Sequence, residues 1–462
     1  MKFVPHDYQR DALEFLEEQR YAGLFADPGL GKTAVVLHFL ERLWWRSGCT
    51  LRVLLIAPKR VIYTVWPEEI DKWDLLLPYS ILHGKNKENR VGHETIDLLN
   101  VENTFWLLED EQMPAYDLLV IDESSGYKGH DSKRLAALKP WIERFNRRII
   151  LTGTPSPNTL MDLYGQIYIL DQGKALGKNI TAFREKYFYP TGYRGFTEYN
   201  LIPGSEKLIP HKIAPMVMRI DGDTHLDLPP LVNHIIKVRL PANARRIYDD
   251  FERELFAELD GYADGMSLNS AVALYNVCRQ IANGHFYRPP DPLERAKHVK
   301  NREIIPLHGV KIEALKELMG ELQGKPLFTA YHFRHDLDQL RKAFGEKVPI
   351  IPSTDALDLL AIKRWNKREL LILCAHPQAI AYGVNLQQGG NDIAWFALTD
   401  SLENYIQFNR RIYRQGVDDR VRIHHIIAEN TVDEAIMMRL RNKDLSQRSL
   451  FQALLDYRKS RK

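Results

Sequence analysis

Short apolar runs of β-forming residues alternate with helical stretches along almost the whole chain, and that alternation leaves few folds open. Strands are predicted at "LRVLLIAP" (51–58), "TFWLLE" (104–109), "YDLLVIDE" (116–123) and "RRIILTGT" (147–154). Five more follow at "HIIKVRL" (234–240), "PLFTAY" (326–331), "ELLILCAH" (369–376), "DIAWFAL" (392–398) and "RVRIHHIIA" (420–428). Helical patterns such as "TAVVLHFLERLWW" and "GVKIEALKELMGELQG" lie between them. Alternation of this kind argues an α/β fold, a mostly parallel sheet covered by helices on both faces. So many strands exceed one compact sheet, and 462 residues suffice for two lobes. The stretch 190–230, with "PTGYRGFTEYNLIPGSEK" and then "DLPP", has the composition of a connector. The boundary is therefore placed near 230, giving lobes at 1–230 and 231–462, the second with a helical tail.

Several function classes drop out. No stretch of about 18 uncharged apolar residues exists to span a membrane. The opening "MKFVPHDYQRDALEFLEEQR" lacks the apolar core of a secretion signal. Cys49, Cys278 and Cys374 are widely spaced, which argues against a disulfide framework or zinc cluster and for a reducing, cytoplasmic setting. Net charge is only +3, so a nucleic-acid surface has to be a local groove. The basic end "MRLRNKDLSQRSLFQALLDYRKSRK" reads as a solvated terminal helix. His332 and His335 in "HFRH" have metal-like spacing but read as a packed or solvated pair. His424 and His425, adjacent in a strand, point to opposite faces.

The chemistry starts at "LFADPGLGKTAVVL" (24–37). Ala26, four residues, then Gly31, Lys32 and Thr33 reproduce phosphate-loop spacing with Ala in the first Gly position. Gly29 and Gly31 let backbone N–H groups converge on phosphate oxygens, and the following helix adds its positive end. Lys32 reaches terminal phosphates and Thr33 offers its hydroxyl to Mg²⁺; Asp27 lies in the same loop. A glycine-rich turn with an exposed lysine is the plainer alternative. About 90 residues on, "LLVIDESS" ends a strand with Asp122 and Glu123. Asp122 suits Mg²⁺ and Glu123 suits orienting and deprotonating the attacking water, although alone the pair also reads as a solvent-facing loop. "LTGTPSPN" (151–158) reads as a turn whose Thr152 and Thr154 sit where they can bond near a γ-phosphate.

In this order, the three signals resemble the superfamily-two helicases, and the text around them resembles the Swi/Snf-type branch. "RRIILTGTPSPNTLMDLYGQIYIL" is similar to that branch's third motif and the helix after it, and "APKRVIYTVWPEEIDKW", with Trp66, Glu69 and Trp73, to its Ia segment. "ITAFREKYF" and "LYNVCRQIANG" resemble further signatures, "KIEALKELMGELQGKPLFTAYHF" the entry to the second lobe, and "AYGVNLQQGGNDIAWFALTDSLENYIQFNRRIYRQG" motifs V and VI. "HIIAENTVDEAI" resembles the segment that closes them. Ser125 stands where motif II usually has His, Arg410 where an acid is common, and His6 where an Arg often precedes the Tyr–Gln pair.

The resemblance implies two RecA-like lobes that sandwich ATP and grip double-stranded DNA. It implies Gln9 at the adenine edge, Lys32 and Thr33 on phosphate and Mg²⁺, and Asp122 and Glu123 as metal partner and water base. It also implies Gly383 near the nucleotide, and Arg411 and Arg414 as arginines supplied from the other lobe. "SLENYIQFNRRIYRQG" reads as one helix from Ser401 to Gly416, which puts Gln407, Arg411 and Arg414 on one face. Lys59 and Arg60, after the Ia strand, either touch a DNA phosphate or are simply solvated. The expected activity is ATP-driven movement along duplex DNA by a monomer in a bacterial or phage-infected cell. A strand-separating helicase acting on DNA or RNA and a nucleotide-controlled DNA-binding scaffold remain as rivals.

Overall fold

The structure, a computed structural model, describes residues 3–108, 114–128, 133–156, 159–191, 198–225, 228–262, 268–287, 303–345, 348–351, 359–380, 384–414, 417, 419–441, 454, 457 and 458. The chain divides into two compact units, the main division falling between residues 225 and 228.

In the first unit the strands are β1 (Tyr21–Ala26), β2 (Val53–Ala57), β3 (Tyr79–Leu82), β4 (Ile96–Asn100), β5 (Leu118–Asp122) and β6 (Arg147–Thr152). A hairpin of β7 (Phe188–Thr191) and β8 (Glu198–Leu201) follows, then β9 (Val217–Ile220). Seven of these form one sheet in the order β3-β4-β2-β5-β6-β1-β9, every neighbour parallel. The continuous apolar runs explain the arrangement. β2 (VLLIA) and β5 (LLVID) are buried at every residue, as strands covered on both faces must be.

The second unit holds β10 (Val232–Val238), the antiparallel pair β11 (His285–Tyr287) and β12 (Ile304–Pro306), β13 (Leu327–Ala330), β14 (Ile350–Ile351), β15 (Ile372–Ala375), β16 (Asp392–Trp395) and β17 (Arg422–Ala428). Its six-stranded sheet runs β10-β17-β16-β13-β15-β14 and is also parallel throughout. The two-sheet α/β class expected from the alternation is therefore present, each sheet with its own buried apolar cluster.

Two elements differ from expectation. "TFWLLE" is not a strand: Thr104–Leu108 is a short helix, and the strand beside β2 is β4, "IDLLN". Asp97 and Asn100 interrupt the apolar run of β4 and disguise it. Buried Asp97 is tolerated because its carboxylate accepts from the Gly92 N–H at 2.7 Å and the Tyr116 hydroxyl at 2.6 Å. The stretch 190–230 is also more than a connector. It carries the helix Ser205–Ile213 and then β9, which pairs with β1 at the edge of the first sheet.

Candidate active site

Parallel strands send all their C-terminal ends to one side, so β5, β6 and β1, adjacent in that order, deliver three loops together. Register makes the match close: Asp122 is level with Leu151, and Phe25 with Thr152. With strands about 4.8 Å apart, the ends of β1 and β5 lie about 10 Å from each other, with β6 between them.

From β1 the chain enters the phosphate loop. Gly29 and Gly31 have φ of +94° and +76°, the left-handed region that favours glycine. Gly31 caps the 15-residue helix Lys32–Arg46, whose first N–H groups are thereby presented to the loop. Gln9, buried on the helix Asp7–Glu18, braces the loop directly. Its Nε2 donates to the Leu30 carbonyl at 3.1 Å, and its Oε1 accepts from the His6 N–H at 3.0 Å. Gly31 is required by its positive φ, and a Cβ there would also displace that Nε2, which it would approach to 2.6 Å. Asp27 belongs to the loop's support: its carboxylate accepts from the Gly222 N–H at 3.0 Å, just past β9. Lys32 Nζ donates to the Ala26 carbonyl at the loop's entry.

From β5 come Asp122 and Glu123. Asp122 Oδ2 accepts from Trp66 Nε1 at 3.1 Å, and its Oδ1 from the Glu123 N–H at 3.0 Å. Burial raises the Asp122 pKa; the Lys32 ammonium and these two hydrogen bonds oppose that rise. Lys32 and Asp122 thus interact electrostatically although they are 90 residues apart in the chain. Glu123 has φ +54°, uncommon for a residue with a side chain and often met at functional turns.

From β6 comes the third turn. Thr152 Oγ1 accepts from the Thr154 N–H at 3.1 Å, closing it. A Cβ on Gly153 would sit 2.8 Å from Pro28 Cδ, so this turn packs on the phosphate loop. Glycine between the two threonines permits that approach.

The donor set fits a nucleoside triphosphate with Mg²⁺. The loop's N–H groups and Lys32 suit phosphate, Thr33 and Asp122 are oxygen ligands of the kind Mg²⁺ takes, and Glu123 stands beside Asp122.

The structure also adds residues that sequence reading passed over. Trp66, quoted only as an Ia landmark, holds Asp122. Ser124 Oγ donates to Gln166 Oε1 at 2.9 Å, and Gln166 Nε2 donates to the Pro155 carbonyl at 2.6 Å and the Asp162 carbonyl at 2.9 Å. Gln166 had a signal: it is the one amide in the apolar helix "LYGQIYILD".

In the second unit one expectation is corrected. The helix that opens at Ser401 spans Leu402–Asn409 and does not run on to 416. Ser401 Oγ accepts from the Asn404 N–H at 3.2 Å, the predicted start. Only Gln407 of the three residues expected on one face is helical; Arg411 and Arg414 lie in the turns after it. The end has a cause. The Arg411 and Ile412 N–H groups bond three residues back, to Phe408 and Asn409, while the Leu386 N–H takes the Arg411 carbonyl at 3.1 Å. Arg414 Nη1 donates to Asn385 Oδ1 on the motif V segment. That segment is pinned in turn by Trp365 Nε1 on the Leu386 carbonyl at 2.9 Å. Gly383 and Gly416 lie outside the described residues, as does most of the basic tail.

Lys59 and Arg60 open the short helix Lys59–Tyr63 after β2. His424 and His425 diverge as expected, His424 Nε2 to Asp392 at 3.1 Å and His425 Nε2 to the Tyr405 hydroxyl at 2.9 Å. Among the described residues no group of three or more His, Cys, Asp or Glu forms a metal cluster, and no helix is long and apolar enough to cross a membrane.

Residues 8–284 match the family model of the SNF2-related domain. Protein p41 of Acyrthosiphon pisum secondary endosymbiont phage 1 is 32% identical over 98% of this chain and 99% of its own length. The ATP-dependent helicase/translocase YwqA of Bacillus subtilis (strain 168) is 22% identical over 96% of this chain, which spans only 48% of that longer protein. Among solved structures, the Sulfolobus solfataricus SWI2/SNF2 ATPase core in complex with dsDNA aligns with a TM-score of 0.44 at 19% identity, covering 100% of this chain and 97% of that one.

Proposed function

This chain belongs to the SNF2-related domain family, and from that premise we propose that it is a helicase-like ATPase that couples ATP hydrolysis to movement along duplex DNA. One observation carries the hydrolytic part: phosphate loop, Asp122–Glu123 and the Thr152 turn emerge side by side from β1, β5 and β6. In this reading the loop N–H groups and Lys32 bind the triphosphate. Trp66 keeps Asp122 oriented and ionisable. Glu123 takes the proton of the attacking water, the step that a positioned carboxylate can accelerate by about 10²–10⁴-fold. When bound, Mg²⁺ supplies neutralisation of phosphate charge, and Thr33 and Asp122 are the residues that would hold it. Arg411 and Arg414 stabilise the charge that develops on the γ-phosphate, with Asn385 steadying Arg414.

The DNA part is supported by family membership and by the names of similar proteins, among them the SWI/SNF chromatin-remodeling complex subunit snf22 of Schizosaccharomyces pombe. Translocation is the finer reading proposed, and the relation to YwqA, whose name carries both helicase and translocase, is compatible with it. Backbone contacts dominate such binding, so little base specificity and a strong salt dependence are expected.

Phosphate release measured in parallel with no nucleic acid, single-stranded DNA, duplex DNA and RNA tests the proposal. Stimulation by duplex DNA, lost at high salt, is the expected result; equal rates in all four would sink it. Triplex displacement without forked-duplex unwinding then separates translocation from strand separation.

A further inference from the structure

Ser124, Gln166 and Pro155 form a buried hydrogen-bonded bridge between the turn that carries Glu123 and the turn that carries Thr152. Both Ser124 and Gln166 are fully buried, at 0% exposure. The bridge is chemically closed. Gln166 Nε2 faces two carbonyls, Pro155 at 2.6 Å and Asp162 at 2.9 Å, and only an amide nitrogen can satisfy both. That fixes the amide orientation and leaves Oε1 to accept from Ser124 Oγ at 2.9 Å. The helix Leu163–Asp171 is seated for this purpose. A Cβ at Gly165 would lie 2.1 Å from the Tyr127 carbonyl, so glycine there lets the helix press against the Ser124–Tyr127 turn.

The bridge touches both turns and neither end is a reacting group. Ser124 directly follows Glu123, whose backbone is left-handed. Pro155 ends the Thr152 turn, which packs through Gly153 on Pro28 of the phosphate loop. Moving Gln166 therefore displaces the water base relative to the phosphate loop.

We propose that Gln166 is a positioning residue for ATP hydrolysis, acting through Ser124 and Pro155 to hold Glu123 in register with the phosphate loop. This rests on the functional reading above. Misplacement of a catalytic group by about 1 Å can cost about a hundredfold in rate.

The test is a kinetic cycle on the full chain using Gln166→Leu, Ser124→Ala and the double variant, with DNA-stimulated ATP hydrolysis and thermal midpoints as readouts. Gln166→Leu is expected to lower kcat roughly ten- to hundredfold while KM for ATP stays within about twofold. Ser124→Ala lowers kcat in the same sense, and the double variant is no slower than Gln166→Leu alone, because both break one connection. Normal kcat in a folded Gln166→Leu chain overturns the proposal, as does a double variant whose losses multiply. Should Gln166→Leu fail to fold, Ser124→Ala decides alone: it removes one hydroxyl, and unchanged kcat there rejects the bridge. Absence of turnover in the unmodified chain overturns the functional reading and this inference together, whereas an active parent with indifferent variants overturns only the inference.

Discussion

At the scale of single residues, the site places two neighbouring carboxylates in different surroundings. Asp122 is buried, hydrogen-bonded to Trp66, and influenced by Lys32. Glu123 follows on a strained turn. Replacing Glu123 with Gln keeps the shape and removes the base, so ATP binding should persist while kcat falls at least about a hundredfold. Fluorescent-nucleotide titration beside steady-state turnover checks this, and full activity would remove Glu123 as the base. Trp66→Phe deletes one bond to Asp122 while keeping an aromatic ring at this fully buried position, with a small void left by the lost ring. That bond lowers the Asp122 pKa, so its loss raises it further. On the proposed mechanism hydrolysis needs the carboxylate ionised, so the acid limb of the kcat–pH profile should move to higher pH. A superimposable profile in the folded variant contradicts the role. Spacing made Lys32, Asp122 and Glu123 candidates in the sequence, and the sheet order brings the strand ends that carry them together. Trp66 was legible only as a landmark, since nothing in a linear text says which side chain its N–H will meet.

Elements show where local pattern meets its limit. The helix Leu163–Asp171 lies against the motif II turn with Gly165 at the contact. In an exposed helix interior, Gly→Ala stabilises by about 1 kcal/mol. Here the added carbon would meet the Tyr127 carbonyl, a backbone atom that cannot swing away. Overpacking costs about 1–3 kcal/mol, so the sign should reverse. Gly165→Ala is expected to lower the urea midpoint and slow hydrolysis; a stabilised, fully active variant would show that the helix tolerates the shift. The helix at 402–409 teaches the complementary lesson. Its start was readable from Ser401, but its end, where the Arg411 and Ile412 N–H groups bond three residues back rather than four, was not. The strand β4 was missed because Asp97 interrupts its apolar run, and the Gly92 and Tyr116 groups that satisfy this buried carboxylate are brought to it by the fold.

Across the whole molecule, buried histidines make stability depend on pH. Burial is the main cause that holds His38, His308 and His425 down to about 4, and His332 well below its ordinary value. A histidine depressed in the folded state stabilises it fully above the unfolded value near 6.5, and that contribution is lost as pH falls towards 4. Asp97 and Asp122, with raised values, act in the opposite sense, stabilising on the acid side and less so as pH rises. The histidines outnumber them. Asp336 and Asp392, with lowered values, add a further loss as pH drops below the ordinary carboxylate range. The urea midpoint should therefore fall from about pH 7 to about pH 4.5, with net proton uptake on unfolding. An unchanged midpoint over that range would falsify this account.

Periodicity and spacing by themselves determined the two parallel sheets, the phosphate loop and the carboxylate pair, because strand burial and phosphate binding each impose a short-range pattern on the chain. Tertiary structure alone decided that β9 edges the first sheet, that Gln9 and Trp66 brace the loop and Asp122, and that Gln166 joins the turn after β5 to the turn after β6. Those are hydrogen bonds between residues distant in sequence, and a donor's partner is set by packing rather than by its neighbours in the chain.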